Sequence, residues 1–245
     1  MIHSARASAF LYAEFYSTFM NVLIVYAHPE PKSFNGAMKD LAVEVLEGAG
    51  HAVRVSDLYA MKFDPAGGPA DFTDREDPAC LRYQREQIRA TNNGSFVPEL
   101  KAEMDKLVWA DLVIFQFPLW WFSLPAILKG WVDRVFAMGF SYDAGRRHDT
   151  GIFRGKKGML AFTTGGPPAS YVPNGANGDI DQLLRHINYG MFDFIGIQVL
   201  PPFIAYSAAR VTDEQRSAYL TAYRQHLLHI ESVAPLELGA VARTA

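Results

Sequence analysis

Apolar residues come along this chain in five short runs: NVLIVYA (21–27), HAVRVSDL (51–58), ADLVIFQFP (110–118), GMLAFTT (158–164) and GIQVLPPF (196–203). Most are rich in β-branched and large apolar side chains with little polar alternation, which predicts strands buried on both faces. Between the runs, apolar positions recur every three or four residues, as on the buried side of a helix. Residues 34–49 set Ala37, Leu41, Val45 and Leu46 on one stripe, with Ser33 as N-cap and Gly48 and Gly50 as stops. Segments 98–109 and 125–136 open on proline, which suits a first helical turn, and 179–194 and 213–230 complete the set. The stretch 66–95 is long and irregular, with one short helix expected near 79–89; a connection of that length usually folds over a site or a partner.

Strand alternating with helix five times predicts an α/β fold, a doubly wound, five-stranded parallel sheet of the flavodoxin-like order with helices on both faces. An eightfold barrel would need more units. Leu112–Leu128 carries no charged side chain, close to the length of a membrane span. Pro118 and Pro125 divide it, however, and Lys129, Asp133 and Arg134 charge the segment after Leu128, so no span is predicted.

Composition narrows the partners. The chain has 245 residues, with 23 basic against 26 acidic and a formal charge of −3, which favours neither nucleic acid nor an anionic membrane. Cys80 is the one cysteine, so an intramolecular disulfide and a cysteine metal cluster are excluded, and a reducing, cytoplasmic compartment is expected. His226 and His229 stand three apart without converging carboxylates, and no metal is expected. Glu14 interrupts the apolar stretch before Met20, and MNVLIVYAHPEPKSFN reads as a natural start. Residues 1–19 are therefore expected to be an extension, 20–232 one domain, and 233–245 a tail.

In open parallel sheets, ligands bind beyond the carboxyl ends of the strands, here the loops HPEPKSFN, LWWFSLP and GGPPASYVPNGANGD. The amides of Ser33, Phe34 and Asn35 would open a helix, whose N-terminus favours an anion, and His28 and Lys32 add donors. The same residues also serve as an ordinary cap, and the aromatics of the second loop as core or dimer contact; the local sequence leaves both open. No G-x-G-x-x-G or Walker loop is present. What tilts the balance is TTGG after the fourth strand, where small residues permit close backbone approach, followed by the phenol of Tyr171. A flat heterocycle between the second and third loops with a phosphate at the first outlines a flavin nucleotide.

AHPEPKSFNGAMK, SDLYAMKFDP, ADLVIFQFPLWWFSLPAILKGWVDRVF and FTTGG…Y…NGD together resemble the flavin-dependent NAD(P)H:quinone oxidoreductases of the DT-diaphorase type, over Met20–Ile230. The resemblance implies FAD rather than FMN, NADH or NADPH as hydride donor, and ping-pong two-electron reduction of a quinone in a homodimer whose active site lies at the interface. It assigns His28, Ser33, Phe34 and Asn35 to the pyrophosphate and ribose side. Pro118, Leu119, Trp120, Trp121 and Phe122 fall along the isoalloxazine, and Thr163, Thr164, Gly165 and Gly166 at its pyrimidine end. Tyr171 falls beside flavin N1 and O2, and Arg216 near the adenine. Phe122, Tyr142, Gly166, Asn177 and Phe194 are implied as substrate contacts, and Tyr171, Asn177 and Gly165 as the catalytic set. The chain departs from the family at Asn177, where animal members carry histidine, and at Ala144, where they carry a second pocket tyrosine. Arg82 and Trp120 replace cofactor-contacting glutamines, Arg82 suiting the pyrophosphate, and Tyr189 and Asp193 replace the metal ligands of the short animal form. An azo, nitro or chromate reductase of the same fold, a non-enzymatic electron carrier and a non-catalytic scaffold are the alternatives.

Overall fold

The computed structural model describes residues 19–238; apart from Phe19, the expected N-terminal extension lies outside the described residues, as do 239–245 of the expected tail. Strands β1 (Asn21–Tyr26), β3 (Leu112–Pro118) and β4 (Lys157–Thr163) form the centre of one sheet, with every side chain of β3 buried. β2 (Ala52–Asp57) flanks β1 and β5 (Gln198–Val199) flanks β4, giving the order β2-β1-β3-β4-β5 with all pairings parallel. Successive side chains of a strand point to opposite faces. Val22, Ile24 and Tyr26 thus pack with α1 (Phe34–Gly48) and α6 (Asp213–Leu228). Leu23 and Val25 pack with α3 (Pro98–Trp109), α4 (Ala126–Val135) and α5 (Ile180–Ile187). Two apolar cores on one sheet require apolar residues at both parities, which is why the runs barely alternate.

Four expectations shift. The run 196–203 is not one strand: β5 and β6 (Phe203–Ala205) each pair with β4, separated by Pro201 and Pro202, which have no N–H to give the ladder. The helix expected over 179–194 stops at Ile187, and a π-turn (Asn188–Phe192) and a 3-10 turn (Asp193–Ile195) carry the chain to Gly196 at φ 96°. The short helix is α2 (Tyr83–Asn93), starting later because Asp77 Oδ1 accepts from the Ala79 and Cys80 amides and holds 77–80 in a turn. On α1 the buried stripe is Met38, Ala42, Val45 and Leu46; Leu41 packs at its margin and Ala37 turns outward.

The long connection before α3 is pinned by a buried ion pair, Asp71 with Arg134 of α4 at 2.8 Å, to which the Tyr83 hydroxyl also donates. No helix among the described residues is long and apolar enough to cross a membrane. The greasy stretch from Leu112 is strand, turn and helix.

His226 on α6 has its Nε2 3.2 Å from Met159 Sδ, and burial pushes the imidazole below its ordinary 6.5. The unfolded chain then takes up a proton that the folded one refuses, so stability declines as pH falls below about 6.5 and levels off beneath the folded pKa. Urea midpoints between pH 7 and 5 should fall less steeply in His226→Gln than in the native chain; equal slopes would exclude this group.

Candidate active site

A cleft of about 640 Å³ opens at the carboxyl ends of β1, β3 and β4. This is the switch point of the sheet, where the chain, having gone from β1 to β2 on one side, crosses back to β3 on the other.

The first wall is the turn from His28 to Ser33 and the start of α1. Glu30 N–H lies 3.0 Å from His28 Nδ1, and an N–H can only donate, so Nδ1 accepts and the ring proton sits on Nε2. The nearby Glu30 carbonyl accepts instead from Ser33 N–H at 3.1 Å. Ser33 Oγ caps the helix by accepting from Gly36 N–H at 3.1 Å. That leaves the amides of Phe34 and Asn35 at first-turn positions, where a helix has unused donors. His28, Lys32, Ser33, Phe34, Asn35 and Ala37 all line the cleft.

Asn35 lines the cleft and also has a structural part. Its side chain turns inward: Nδ2 donates to Thr163 Oγ1 and Oδ1 accepts from Gln116 Nε2, both at 2.8 Å. The Tyr223 hydroxyl reaches Gln116 Oε1 at 3.5 Å. This buried chain ties α1 to the ends of β3 and β4, fixing one wall of the cleft against the other. Gly36 was not a candidate from sequence. A Cβ there would stand 1.9 Å from the Pro31 carbonyl oxygen, so the turn and the helix touch through the missing side chain.

The second wall is the loop after β3. Leu119 N–H bonds the Thr163 carbonyl at 2.8 Å, and Pro118, Leu119 and Trp120 line the cleft, the Trp120 ring centroid 6.4 Å from that of His28. Trp121 and Phe122 have φ of 50° and 58°, and Ser123 N–H closes the turn on the Trp120 carbonyl. Two successive left-handed residues make a turn that normally calls for asparagine or glycine, and bulky side chains there cost about 1–2 kcal/mol each. Strain of this kind collects at functional sites. Trp121 is 95 % exposed and Phe122 42 %; neither lines this chain's own cleft.

The third wall follows β4. Thr163, Thr164 and Gly165 line the cleft, and a Cβ at Gly165 would meet nothing within 4 Å, leaving its backbone open to a ligand. Thr164 Oγ1 and Ser207 N–H both donate to the Gly166 carbonyl. A Cβ at Gly166 would lie 3.0 Å from Asn177 Nδ2 and 3.1 Å from the Tyr171 ring, so these three converge next to Gly165, though none of them lines the cleft itself. Tyr206, missed in the sequence, stands 5.8 Å from Tyr171; burial, then the Asp181 carboxylate, raises its phenol above the ordinary value, so it stays a neutral donor. Arg216 closes the far end beside Ala208 and Ala209, donating to the Val211 carbonyl at 2.7 Å and pairing with Asp213.

The remaining candidates lie elsewhere on this chain. Arg82 is exposed at the start of α2, away from the cleft. Tyr142 and Phe194 stack edge to face at 5.2 Å beside His148, which pairs with Asp193 at 2.6 Å. Among the described residues, no three His, Cys, Asp or Glu side chains are grouped to hold a metal.

Residues 20–227 match the family described as flavodoxin-like fold. Human ribosyldihydronicotinamide dehydrogenase [quinone] is 43 % identical over 220 residues, covering 89 % of this chain and 95 % of that protein. NAD(P)H dehydrogenase [quinone] 1 of Cavia porcellus is 43 % identical over 215 residues, covering 87 % of this chain and 78 % of its own. A crystal structure of a candidate quinone reductase from Klebsiella pneumoniae superposes with a TM-score of 0.85 at 42 % identity, covering 88 % of this chain and 86 % of that one.

Proposed function

The chain belongs to the flavodoxin-like family of flavin-dependent NAD(P)H:quinone oxidoreductases, and from that premise we propose that it reduces quinones by two electrons at the expense of NADH or NADPH, holding FAD in the cleft and working as a homodimer. The observation that carries the reading is the meeting of Gly166, Tyr171 and Asn177 beside Gly165, which lines a cleft whose opposite wall is a capped helix N-terminus.

The residues fit the group. The Phe34 and Asn35 amides, His28 Nε2–H and Lys32 suit a pyrophosphate. The continuation of the cleft to Ala208, Ala209 and Arg216 leaves room beyond the phosphates and favours FAD over FMN. Bound flavin supplies the two-electron chemistry between nicotinamide and quinone. The protein supplies flat walls at Pro118, Leu119 and Trp120, which orient the ring and exclude water from one face. Tyr171 O–H, Asn177 Nδ2 and the Gly165 and Gly166 backbone would supply donors to the negative charge that a reduced flavin ring carries. Asn177 hydrogen-bonds but does not titrate near neutrality, so any proton relay rests on Tyr171.

Homodimerisation is supported by Trp121, almost wholly exposed in a strained turn, and by the Tyr142–Phe194 pair, which packs on the core of its own chain but does not line its cleft. A partner's cleft gives both, and Arg82 with them, something to face. The exposed Cys80 thiol accords with a reducing cytoplasm.

The test is to release the chromophore, identify it by chromatography, and follow NADH and NADPH oxidation with menadione. Protein that refuses FAD, or that leaves both donors unconsumed, overturns the reading. Tyr171→Phe should keep its flavin yet slow flavin reduction by up to about a hundredfold; stopped-flow traces matching the native chain would remove Tyr171 from the mechanism.

A further inference from the structure

Beside the Tyr142–Phe194 wall stands a guanidinium with no part in the cleft or its proposed chemistry. The Arg147 Cζ lies 6.0 Å from the Phe194 ring centroid, on the side chain that Tyr142 and His148 contact edge to face. Its backbone is fixed at both ends: Arg147 N–H donates to Thr150 Oγ1 at 3.1 Å, and Thr150 N–H returns to the Arg147 carbonyl at 3.0 Å. Nη2 reaches the Ala144 carbonyl at 3.3 Å, a long bond that leaves most of the guanidinium's donors for a ligand.

Two of the neighbouring carboxylates are committed elsewhere. Asp143 pairs with Arg146 at 2.6 Å, and Asp193 with His148. A second guanidinium, Arg185, lies 4.7 Å from the Tyr189 ring, which stacks on His148 at 4.8 Å. Arg185 Nη1 donates to the Leu238 carbonyl at 3.4 Å. The result is a ladder of four rings, Tyr142, Phe194, His148 and Tyr189, edged by two guanidiniums. An aromatic surface with guanidiniums at its margin suits a planar ring that carries an anionic substituent, since the ring stacks while the charge finds a forked donor.

We infer that Arg147 is a specificity-determining residue that makes the pocket select a ring occupant bearing a negative group, either a sulfonated or carboxylated quinone or the 2′-phosphorylated nicotinamide donor. This rests on the reading that the Tyr142–Phe194 wall receives the substrate ring. The positive edge raises the local concentration of the anion and holds it, so the effect belongs in KM and weakens with salt.

The experiment measures kcat/KM for 1,2-naphthoquinone-4-sulfonate and menadione with NADH, and for NADPH and NADH with menadione, in the native enzyme, Arg147→Gln, Arg147→Lys and Arg146→Gln. In Arg147→Gln the anionic-to-neutral ratio should fall about tenfold, the equivalent of about 1.4 kcal/mol, through KM. The quinone arm and the donor arm say which occupant carries the charge. Arg147→Lys should keep part of the ratio, Arg146→Gln all of it, and the native ratio should shrink between low and high salt. Ratios unmoved by Arg147→Gln in both arms, or moved equally by Arg146→Gln, overturn the inference while menadione turnover continues. Native enzyme that does not turn over menadione overturns the quinone reading itself, and this inference with it.

Discussion

A Gly36→Ala chain is expected to fold and to bind flavin about ten- to a hundredfold more weakly, an overpacking cost of about 1–3 kcal/mol expressed as affinity. Alanine is the better helix former by about 1 kcal/mol, so α1 itself gains from the change. What it cannot accommodate is the Pro31 carbonyl oxygen, 1.9 Å from the new methyl group. That oxygen belongs to backbone, and proline's fixed φ denies the turn one of its hinges. The turn must therefore move away from the helix, taking His28, Lys32 and Ser33 with it and spreading the donors proposed to hold the phosphates. Gly48→Ala in the same helix is the control, because a Cβ there meets nothing within 4 Å. Circular dichroism reports the fold and quenching of flavin fluorescence reports affinity. Native-like affinity in Gly36→Ala would mean the phosphates are held elsewhere.

The second large effect concerns Gln116. It is wholly buried at the centre of the sheet, its amide bridging Asn35 and Tyr223. Gln116→Leu leaves Asn35 Oδ1 and the Tyr223 hydroxyl without their partner, and each buried orphan costs about 1–3 kcal/mol. A loss of about 2–4 kcal/mol lowers Tm by about 4–16 °C for a domain of this size. Gln116→Leu with Asn35→Leu should be less destabilised than the two single losses added together, because the second change removes an orphan that the first created. Thermal melts of the three variants decide the matter: strict additivity would mean that the two amides do not act as a unit. The single variants should also loosen flavin, since this bridge sets the spacing of the cleft's walls.

The sequence disclosed the central strands because burial on both faces leaves a composition that hardly anything else produces: β1, β3 and β4 appear where Val22–Tyr26, Leu112–Phe117 and Met159–Phe162 predict them. The cleft was legible for a related reason, since its residues sit on the loops that a doubly wound sheet must gather at one end. Features set by contacts between distant segments were not. Apolar spacing runs on through Phe192 and Phe194, yet the helix ends at Ile187 and gives way to a π-turn. Asn35 reads in sequence only as part of a helix N-terminus at the cleft, while the partners of its side chain lie 81 and 128 residues away. Gly36 carries no local signal, because its constraint comes from how the preceding turn folds back. Trp121 and Phe122 give no hint in composition that both would adopt a conformation usually left to glycine.

The broken final strand governs more than the sheet's outline. A lateral border with an unbroken row of amide donors invites another molecule to dock its own backbone there and extend the lattice into a fibre. Here Pro201 and Pro202 interrupt that row, and the Leu236 amide occupies the Val199 carbonyl at 2.7 Å. The border offers an incoming chain too few consecutive rungs to climb, so a chain this rich in apolar strands has a built-in brake on polymerisation along that side.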